Sequence, residues 1–209
     1  MIEIQDWGLI DYKLAWDKQK ELVDIVQKER IPGYLVMCEH PPVITIGKSG
    51  TKDNILFKTD FLNSVGVQVI ENDRGGDVTL HNPGQLVGYP IFNLSAFRED
   101  LHWFLREIEE AIIELIQTYG LAGGRVSGLT GVWIDSARKI AAMGLHCSRW
   151  VTSHGFALNA NNDLSQFNYI VPCGIVGKGV CSIESEIGAK VNFDELKNRC
   201  AKIFLSKFA

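Results

Sequence analysis

The sequence lacks the features of a membrane or secreted protein. It contains no run of 18 apolar residues, so no segment is predicted to cross a membrane as a helix. Its first six residues, MIEIQD, are too acidic for a secretory signal or a transit peptide. The five cysteines are an odd number with no CxxC pair, which indicates free thiols in a reducing compartment. We therefore expect a cytoplasmic protein.

The common motifs for cofactors and nucleic acids are also missing. Neither a Walker loop nor the GxGxxG fingerprint of dinucleotide-binding proteins occurs. The five histidines show no HxxxH or HExxH spacing, so no metal site is predicted. Lys and Arg number 21 against 25 Asp and Glu, and the net charge of −4 argues against nucleic acid as a partner. We expect no cofactor, no metal, and neither nucleic acid nor membrane as a partner.

The charge is nevertheless uneven along the chain. Between residues 120 and 181, five basic residues stand against Asp135 and Asp163, a balance of +3. This excess predicts a surface that meets acidic protein partners, with Arg138, Arg149 and Lys178 as the candidate contacts.

The residues that are present predict one domain, 1–209, with an ample core, since 46% of them are hydrophobic. Apolar spacing predicts helices at 11–29, 98–119 and 194–208. Short strands are predicted at 1–7, 34–38, 43–47, 67–70, 87–94, 131–135, 139–144 and 151–159. Mixed strands and helices with short connections indicate an α/β (α+β) fold, with a mixed β-sheet flanked by helices.

The densest motif is RGGDVTLHNPGQ at residues 74–85. The glycine pair permits positive φ or close approach of a ligand, and Pro83-Gly84 predicts a turn. One interpretation is a glycine-rich turn in an antiparallel sheet. The other is a ligand site, because Arg74, Thr79 and His81 exceed the polar groups that a hairpin needs.

Three further residues are candidates for chemistry. Cys173 lies between proline and glycine, which predicts a turn that presents the thiol, although a buried cysteine is commonly a small core residue. Lys139 precedes a run of small residues with room for a ligand, or is a solvated hairpin lysine. His154 lies before Gly155 on a strand, where it either borders a pocket or is a structural histidine.

Together these blocks resemble the lipoyl(octanoyl) transferase family of the biotin/lipoate protein ligase superfamily. The resemblance runs from about residue 5 to the end of the chain. It rests on Arg74-Gly75-Gly76, Thr79, His81-x-Pro83-Gly84-Gln85 and Tyr89, on Lys139-Ile140-Ala141-Ala142-x-Gly144, on Thr152-x-His154-Gly155-x-Ala157-Leu158-Asn159, and on Pro172-Cys173-Gly174.

The resemblance implies a biotin/lipoate protein ligase-like fold and a reaction. Octanoate on acyl carrier protein would pass to Cys173 as a thioester, and then to a lysine of a lipoyl domain. The implied acceptors are E2 subunits of 2-oxoacid dehydrogenases and the glycine cleavage H protein. Lys139 would lower the pKa of Cys173 or act as its base. The acyl-binding residues would be Arg74, Gly75, Gly76, Asp77, Val78, Thr79, Leu80, His81, Ala142, Met143, Gly144, Gly155, Phe156 and Ala157.

Three alternatives stay open at this level. An ATP-dependent lipoate or octanoate ligase would have the same fold but needs no cysteine nucleophile. A cysteine thioester hydrolase would use Cys173 with His154. A non-catalytic relative that only binds lipoyl domains would lack Cys173 or Lys139, and both are present.

Overall fold

The computed structural model describes residues 1–171 and 177–208. Over these residues the helices are α1 (Tyr12–Glu29), α2 (Thr59–Ser64), α3 (Leu101–Gln117), α4 (Ile183–Ile187) and α5 (Phe193–Lys207). The strands are β1 (Glu3–Leu9), β2 (Gly33–Glu39), β3 (Val43–Ile46), β4 (Gln68–Glu71), β5 (Val78–His81), β6 (Gln85–Phe92), β7 (Gly123–Val126), β8 (Leu129–Ile134), β9 (Arg138–Ser148), β10 (Val151–Asn159) and β11 (Gly179–Val180). None of the described helices is both long enough and apolar enough to cross a membrane.

The strands of the described residues form two sheets. The larger has the order β1-β2-β6-β10-β9-β8-β7, with β11 added beside β9, and mixes parallel and antiparallel pairs. The smaller has the order β4-β3-β5. The predicted mixed sheet with flanking helices is confirmed, but the pattern of single strands did not predict the division into two sheets, because pairing is a long-range choice.

Helices cover both faces of the larger sheet. Helix α1 contributes Ala15 and Val26 to a cluster with β2, β6 and β10. Helices α3 and α5 pack on the other face and contribute a core that includes Ile108, Ile112 and Phe204. The smaller sheet has its own core, to which α2 contributes Leu62.

Capping residues explain where the helices begin. Asp11 and Asp100 accept hydrogen bonds from backbone N–H groups of the first turns of α1 and α3. Helix α3 therefore starts at Leu101, three residues later than its apolar pattern predicts. Asn192 caps α5 in the same way.

Candidate functional site

A narrow cavity lies between the two sheets. Most of the acyl-binding residues predicted from the sequence line it, although they come from three separate strands and a loop. Its lining is Tyr12, Arg74, Gly76, Asp77, Val78, Thr79, His81, Val87, Tyr89, Ala142, Met143, Gly144, His154, Gly155, Phe156 and Ala157. The register that pairs Ala157 with Ala142 and Gly155 with Gly144 brings β9 and β10 together here.

Two predicted residues lie elsewhere. Leu80 is fully buried in the core of the smaller sheet, opposite Ile44 of β3, and does not line this cavity. Gly75 packs against β9, where its N–H donates to the carbonyl of Leu145 at 2.8 Å, and it lines a neighbouring cavity instead. The 74–77 loop thereby joins the smaller sheet to the larger one.

Arg74 shapes this loop from within. Its side chain is 7% exposed, and Nη2 donates to the carbonyls of Thr45 and Asp77, each at 2.7 Å, while Nη1 donates to the carbonyl of Gly75. Charge-assisted hydrogen bonds of this kind are stronger than neutral ones. Arg74 therefore lines the cavity and also holds the Gly75–Asp77 backbone in place.

Glycines allow the loop to lie close to both sheets. A side chain on Gly144 would begin 2.5 Å from the carbonyl oxygen of Gly75, and one on Gly47 would begin 2.4 Å from that of Gly76. Gly76 itself has φ +87°, a conformation that favours glycine. The paired glycines of the motif thus serve a close backbone approach.

Gly155 marks a close approach of a different kind. A side chain there would begin 2.1 Å from the carbonyl oxygen of Gly88 on the neighbouring strand β6. The sequence pattern correctly indicates a close contact. The group that approaches Gly155 is the backbone of the neighbouring strand and not a ligand, although Gly155 also lines the narrow cavity.

Lys139 is 7% exposed and lines a small space beside the narrow cavity. Its Nζ lies 4.7 Å from the centroid of the Trp133 ring, and its stem passes Gly131. A bulge in the β8–β9 pairing sits beside it, as bulges often re-aim side chains next to functional sites. Thr79, Ala142 and Ala157 are shared between the narrow cavity and the small space that Lys139 lines.

The thiol of Cys173 lies outside the described residues. The chain on either side of it is placed, however. The N–H of Val171 donates to the carbonyl of Asn54 at 2.8 Å, and β11 pairs Val180 with Lys139.

The other four cysteines are unsuited to act as nucleophiles. Burial raises the pKa of Cys181 and of Cys200 to about 12, and it also raises the pKa of Cys38 and Cys147. A raised pKa leaves less of the reactive thiolate at neutral pH.

His154 lies far from Lys139. It pairs with Leu145, six residues along β9 from Lys139, or about 20 Å at the usual rise of a strand. Its Nε2 lies 2.8 Å from Oδ1 of Asp73, and that hydrogen bond is the main cause that lowers the pKa of Asp73 to about 2. Burial lowers the pKa of His154, so the ring is a neutral donor to a charged carboxylate.

Tyr12, Val87 and Tyr89 line the cavity but were not predicted as site residues. Tyr12 comes from α1, and its ring stacks on that of His81 with centroids 5.7 Å apart. The hydroxyl of Tyr89 lies 2.6 Å from Nε2 of His40. Burial lowers the pKa of His40 to about 4 and that of His81 to about 3, so both rings are neutral at pH 7. Tyr89 belongs to the motif quoted above, whereas nothing local in the sequence marks Tyr12.

The cations predicted to form a basic surface do not form one patch. Arg138 pairs with Asp135 and Glu186. Arg149 lies in the hairpin turn after β9, more than about 30 Å along the strand from Arg138. Acidic residues that lie outside 120–181 in the sequence, such as Glu186, neutralise part of the positive charge of this region. The charge balance of +3 does not include them.

Comparison with known proteins identifies the family of the chain. Residues 11–205 match the family model of the lipoyl protein ligase A/B catalytic domain. The chain is 47% identical to an octanoyltransferase of Cytophaga hutchinsonii, over 98% of this chain and 91% of that protein. It is 48% identical to an octanoyltransferase of Flavobacterium johnsoniae, over 96% of this chain and 94% of that protein.

Solved structures share the fold at low sequence identity. A bipartite lipoate protein ligase from Thermoplasma acidophilum has a TM-score of 0.72 at 16% identity, covering 99% of this chain and 82% of that chain. A biotin protein ligase from Aquifex aeolicus, in complex with biotin and ATP, has a TM-score of 0.54 at 12% identity, covering 99% and 70%. The biotin/lipoate protein ligase-like fold expected from the sequence is confirmed, and the chain belongs to the octanoyltransferases of the lipoyl protein ligase A/B catalytic-domain family.

Proposed function

We propose that this protein moves an octanoyl group from octanoyl-acyl carrier protein to a lysine of a lipoyl domain, through a thioester on Cys173. Membership in the octanoyltransferase family makes the chain an acyltransferase of protein lipoylation. What we propose beyond this is the donor, the thioester intermediate and the individual acceptors, which are E2 subunits and the glycine cleavage H protein. The observation that carries the proposal is the narrow cavity, which shares Thr79, Ala142 and Ala157 with the small space that Lys139 lines.

The cavity suits an unbranched acyl chain. Small residues from two strands, Ala142, Gly144, Gly155 and Ala157, leave a slot between β9 and β10 and the 74–77 loop. Burying the methylenes of an octanoyl chain contributes about 0.8 kcal/mol each, so a closed slot supplies several kcal/mol of binding. Met143 is flexible and is the lining residue best able to move as the chain enters.

The positions of the flanking residues support Cys173 as the nucleophile. In the sequence it lies two residues after Val171, whose N–H donates to the carbonyl of Asn54. It lies seven residues before Val180, which pairs with Lys139. Burial raises the pKa of each of the other four cysteines, which makes them weaker nucleophiles at neutral pH.

The proposed reaction has two balanced steps. The Cys173 thiolate attacks the thioester carbonyl, a new C–S bond forms, and the carrier's thiolate leaves. The acceptor amine then attacks the same carbonyl, an amide C–N bond forms, and the Cys173 thiolate leaves. When Lys139 is charged, it favours the thiolate form of Cys173. When Lys139 is neutral, its Nζ accepts the proton that the acceptor amine loses as the amide forms.

Intact mass spectrometry after mixing with octanoyl-acyl carrier protein tests the proposal. One octanoyl adduct is expected on the wild type and on Cys147→Ala, and none on Cys173→Ala. Addition of a lipoyl domain should remove the adduct and octanoylate the domain. An adduct that persists in Cys173→Ala contradicts the nucleophile assignment.

Two control reactions separate the alternatives. Product from ATP and free octanoate, without a thioester donor, would indicate a ligase. Release of free octanoate without an acceptor would indicate a hydrolase.

A further inference from the structure

A second and wider cavity adjoins the narrow one. Its volume is about 430 Å³, within the range that holds small-molecule ligands. It is lined by Ser49, Gly75, Gly76, Asp77, Leu101, His102, Leu105, Gly128, Leu129, Thr130, Lys139, Met143, Gly144 and Leu145. The proposed acyl transfer assigns it no ligand.

The cavity arises where β8 leaves β9. The two strands pair only as far as Val132 and Ala141, so the next residues of β9 have no partner from β8. Further along β9, the carbonyl of Leu145 accepts a hydrogen bond from the N–H of Gly75, so the 74–77 loop occupies the open edge there. Between these points lies a cleft that is walled by the start of α3 and by the turn between β7 and β8.

The wall between the two cavities is thin. Both are lined by Gly76, Asp77, Met143 and Gly144, of which two have no side chain and one is flexible. Lys139 lines the second cavity and also the small space that joins the first. A ligand that reacts beside Lys139 can therefore have one part in each cavity.

We infer that the second cavity binds the pantetheine arm of the thioester donor. This inference rests on the proposed function. Between its thiol and its phosphate, the arm is an extended, uncharged chain with two amides, a hydroxyl and a branched dimethyl carbon. The lining matches it, because it combines leucines from α3, β8 and β9 with the polar side chains of Ser49, His102 and Thr130. The polar side chains can form hydrogen bonds with the amides, and the leucines can pack against the carbon chain, so the lining can recognise both the polar and the apolar parts of the arm.

Other occupants fit less well. Among the described lining residues Lys139 is the one Lys or Arg, and the Asp77 carboxylate lies on the same wall, so the phosphates of a nucleotide would find little positive charge. The stem of an acceptor lysine is four methylenes long and would contact only part of a cavity of about 430 Å³.

The test compares two donors that share the octanoyl thioester. Octanoyl-pantetheine has the whole arm, whereas octanoyl-N-acetylcysteamine has only its thiol end. The variant is Thr130→Trp, which places a bulky ring in the cavity from an exposed position. Ser127→Trp is the matched control, since Ser127 is exposed in the same turn and does not line the cavity. The rate of acyl-enzyme formation is followed by intact mass spectrometry.

Wild type and Ser127→Trp should react about tenfold faster with octanoyl-pantetheine than with the short donor, as expected for one or two added hydrogen bonds with their packing. Thr130→Trp should lose this preference while its rate with the short donor stays within about twofold of wild type.

Several results would overturn the inference. If all variants react with both donors at equal rates, the cavity does not bind pantetheine, although the proposed function stands. If Thr130→Trp slows only the transfer from acyl-enzyme to a lipoyl domain, the cavity serves the acceptor. If ATP raises the melting temperature of the wild type and pantetheine does not, the cavity is a nucleotide site. If neither of these donors nor octanoyl-acyl carrier protein acylates the wild type, the proposed function falls as well.

Discussion

The Gly75 carbonyl oxygen lies 2.5 Å from the position that a Cβ on Gly144 would occupy. These two residues are 69 positions apart in the numbering, and they meet because the 74–77 loop of one sheet rests on β9 of the other. The contact forms part of the wall between the two cavities.

Replacing Gly144 with alanine should therefore push the loop away from β9. We expect the rate of acyl transfer to fall by about 100-fold, since a displacement near 1 Å at a site can have that effect. The measurement is kcat/KM for octanoyl transfer, together with a melting curve. Gly124→Ala is the control, because a side chain there meets nothing within 4 Å. Equal activity of the two variants would contradict the role given to this contact.

Glu109 supports Lys139 from α3. Its fully buried carboxylate accepts from the N–H of Gly131 at 3.0 Å and from Arg125 at 3.0 Å, and Gly131 packs against the stem of Lys139. Arg125 keeps its pair with Glu110, but Glu109→Ala leaves the Gly131 N–H without its acceptor and should lower the free energy of unfolding by about 2 kcal/mol. Urea denaturation measures the loss.

Glu110 provides the matched comparison on the same helix. It is 41% exposed and also pairs with Arg125, so Glu110→Ala should change stability by less than about 1 kcal/mol. A loss in Glu110→Ala as large as that in Glu109→Ala would mean that the contact with Gly131 contributes little.

Stability should fall in mild acid because of His40. Burial lowers the pKa of His40 to about 4 in the folded protein, from 6.5 without burial. Between these two values the unfolded chain binds more protons than the folded one, so the free energy of unfolding decreases as the pH falls from 6.5 towards 4, by up to about 1.4 kcal/mol per pH unit for this histidine.

Denaturation with urea between pH 7 and pH 4.5 measures this dependence. His40→Gln should reduce the slope, whereas His102→Gln, at an exposed position on α3, should leave it at the wild-type value. A slope that is the same in His40→Gln and in the wild type would show that His40 is not its source.

Lys139 should control the reactivity of Cys173. We expect Lys139→Ala to slow alkylation of Cys173 near neutral pH and to reduce acyl transfer sharply. Lys139→Arg should restore part of the alkylation rate but not the transfer, because arginine keeps its charge and does not give up a proton. Peptide mapping after timed iodoacetamide treatment follows the thiol.

Lys178→Ala is the control for this prediction. The Lys178 ammonium lies 5.7 Å from the same Trp133 ring and donates to the carbonyl of Ser136. Its loss should leave the alkylation rate of Cys173 unchanged. An alkylation rate that depends on pH in the same way in Lys139→Ala and the wild type would refute the electrostatic role.

The sequence by itself determined the local parts of this protein. The apolar spacing along 98–119 was sufficient to predict α3, although not its first residue, because helix contacts link residues three or four apart. The ordered blocks around Arg74, Lys139 and His154 indicated the family and most of the residues that line the narrow cavity.

Only the tertiary structure decided how distant segments meet. The placement of Tyr12 on His81, the burial of Leu80 away from the cavity and the separation of Arg149 from Arg138 depend on which strands and helices pack together. The second cavity depends on the point at which β8 parts from β9. Such contacts join residues far apart in the chain, and local propensity carries no information about them, because their free energy comes from burial and pairing in the folded state.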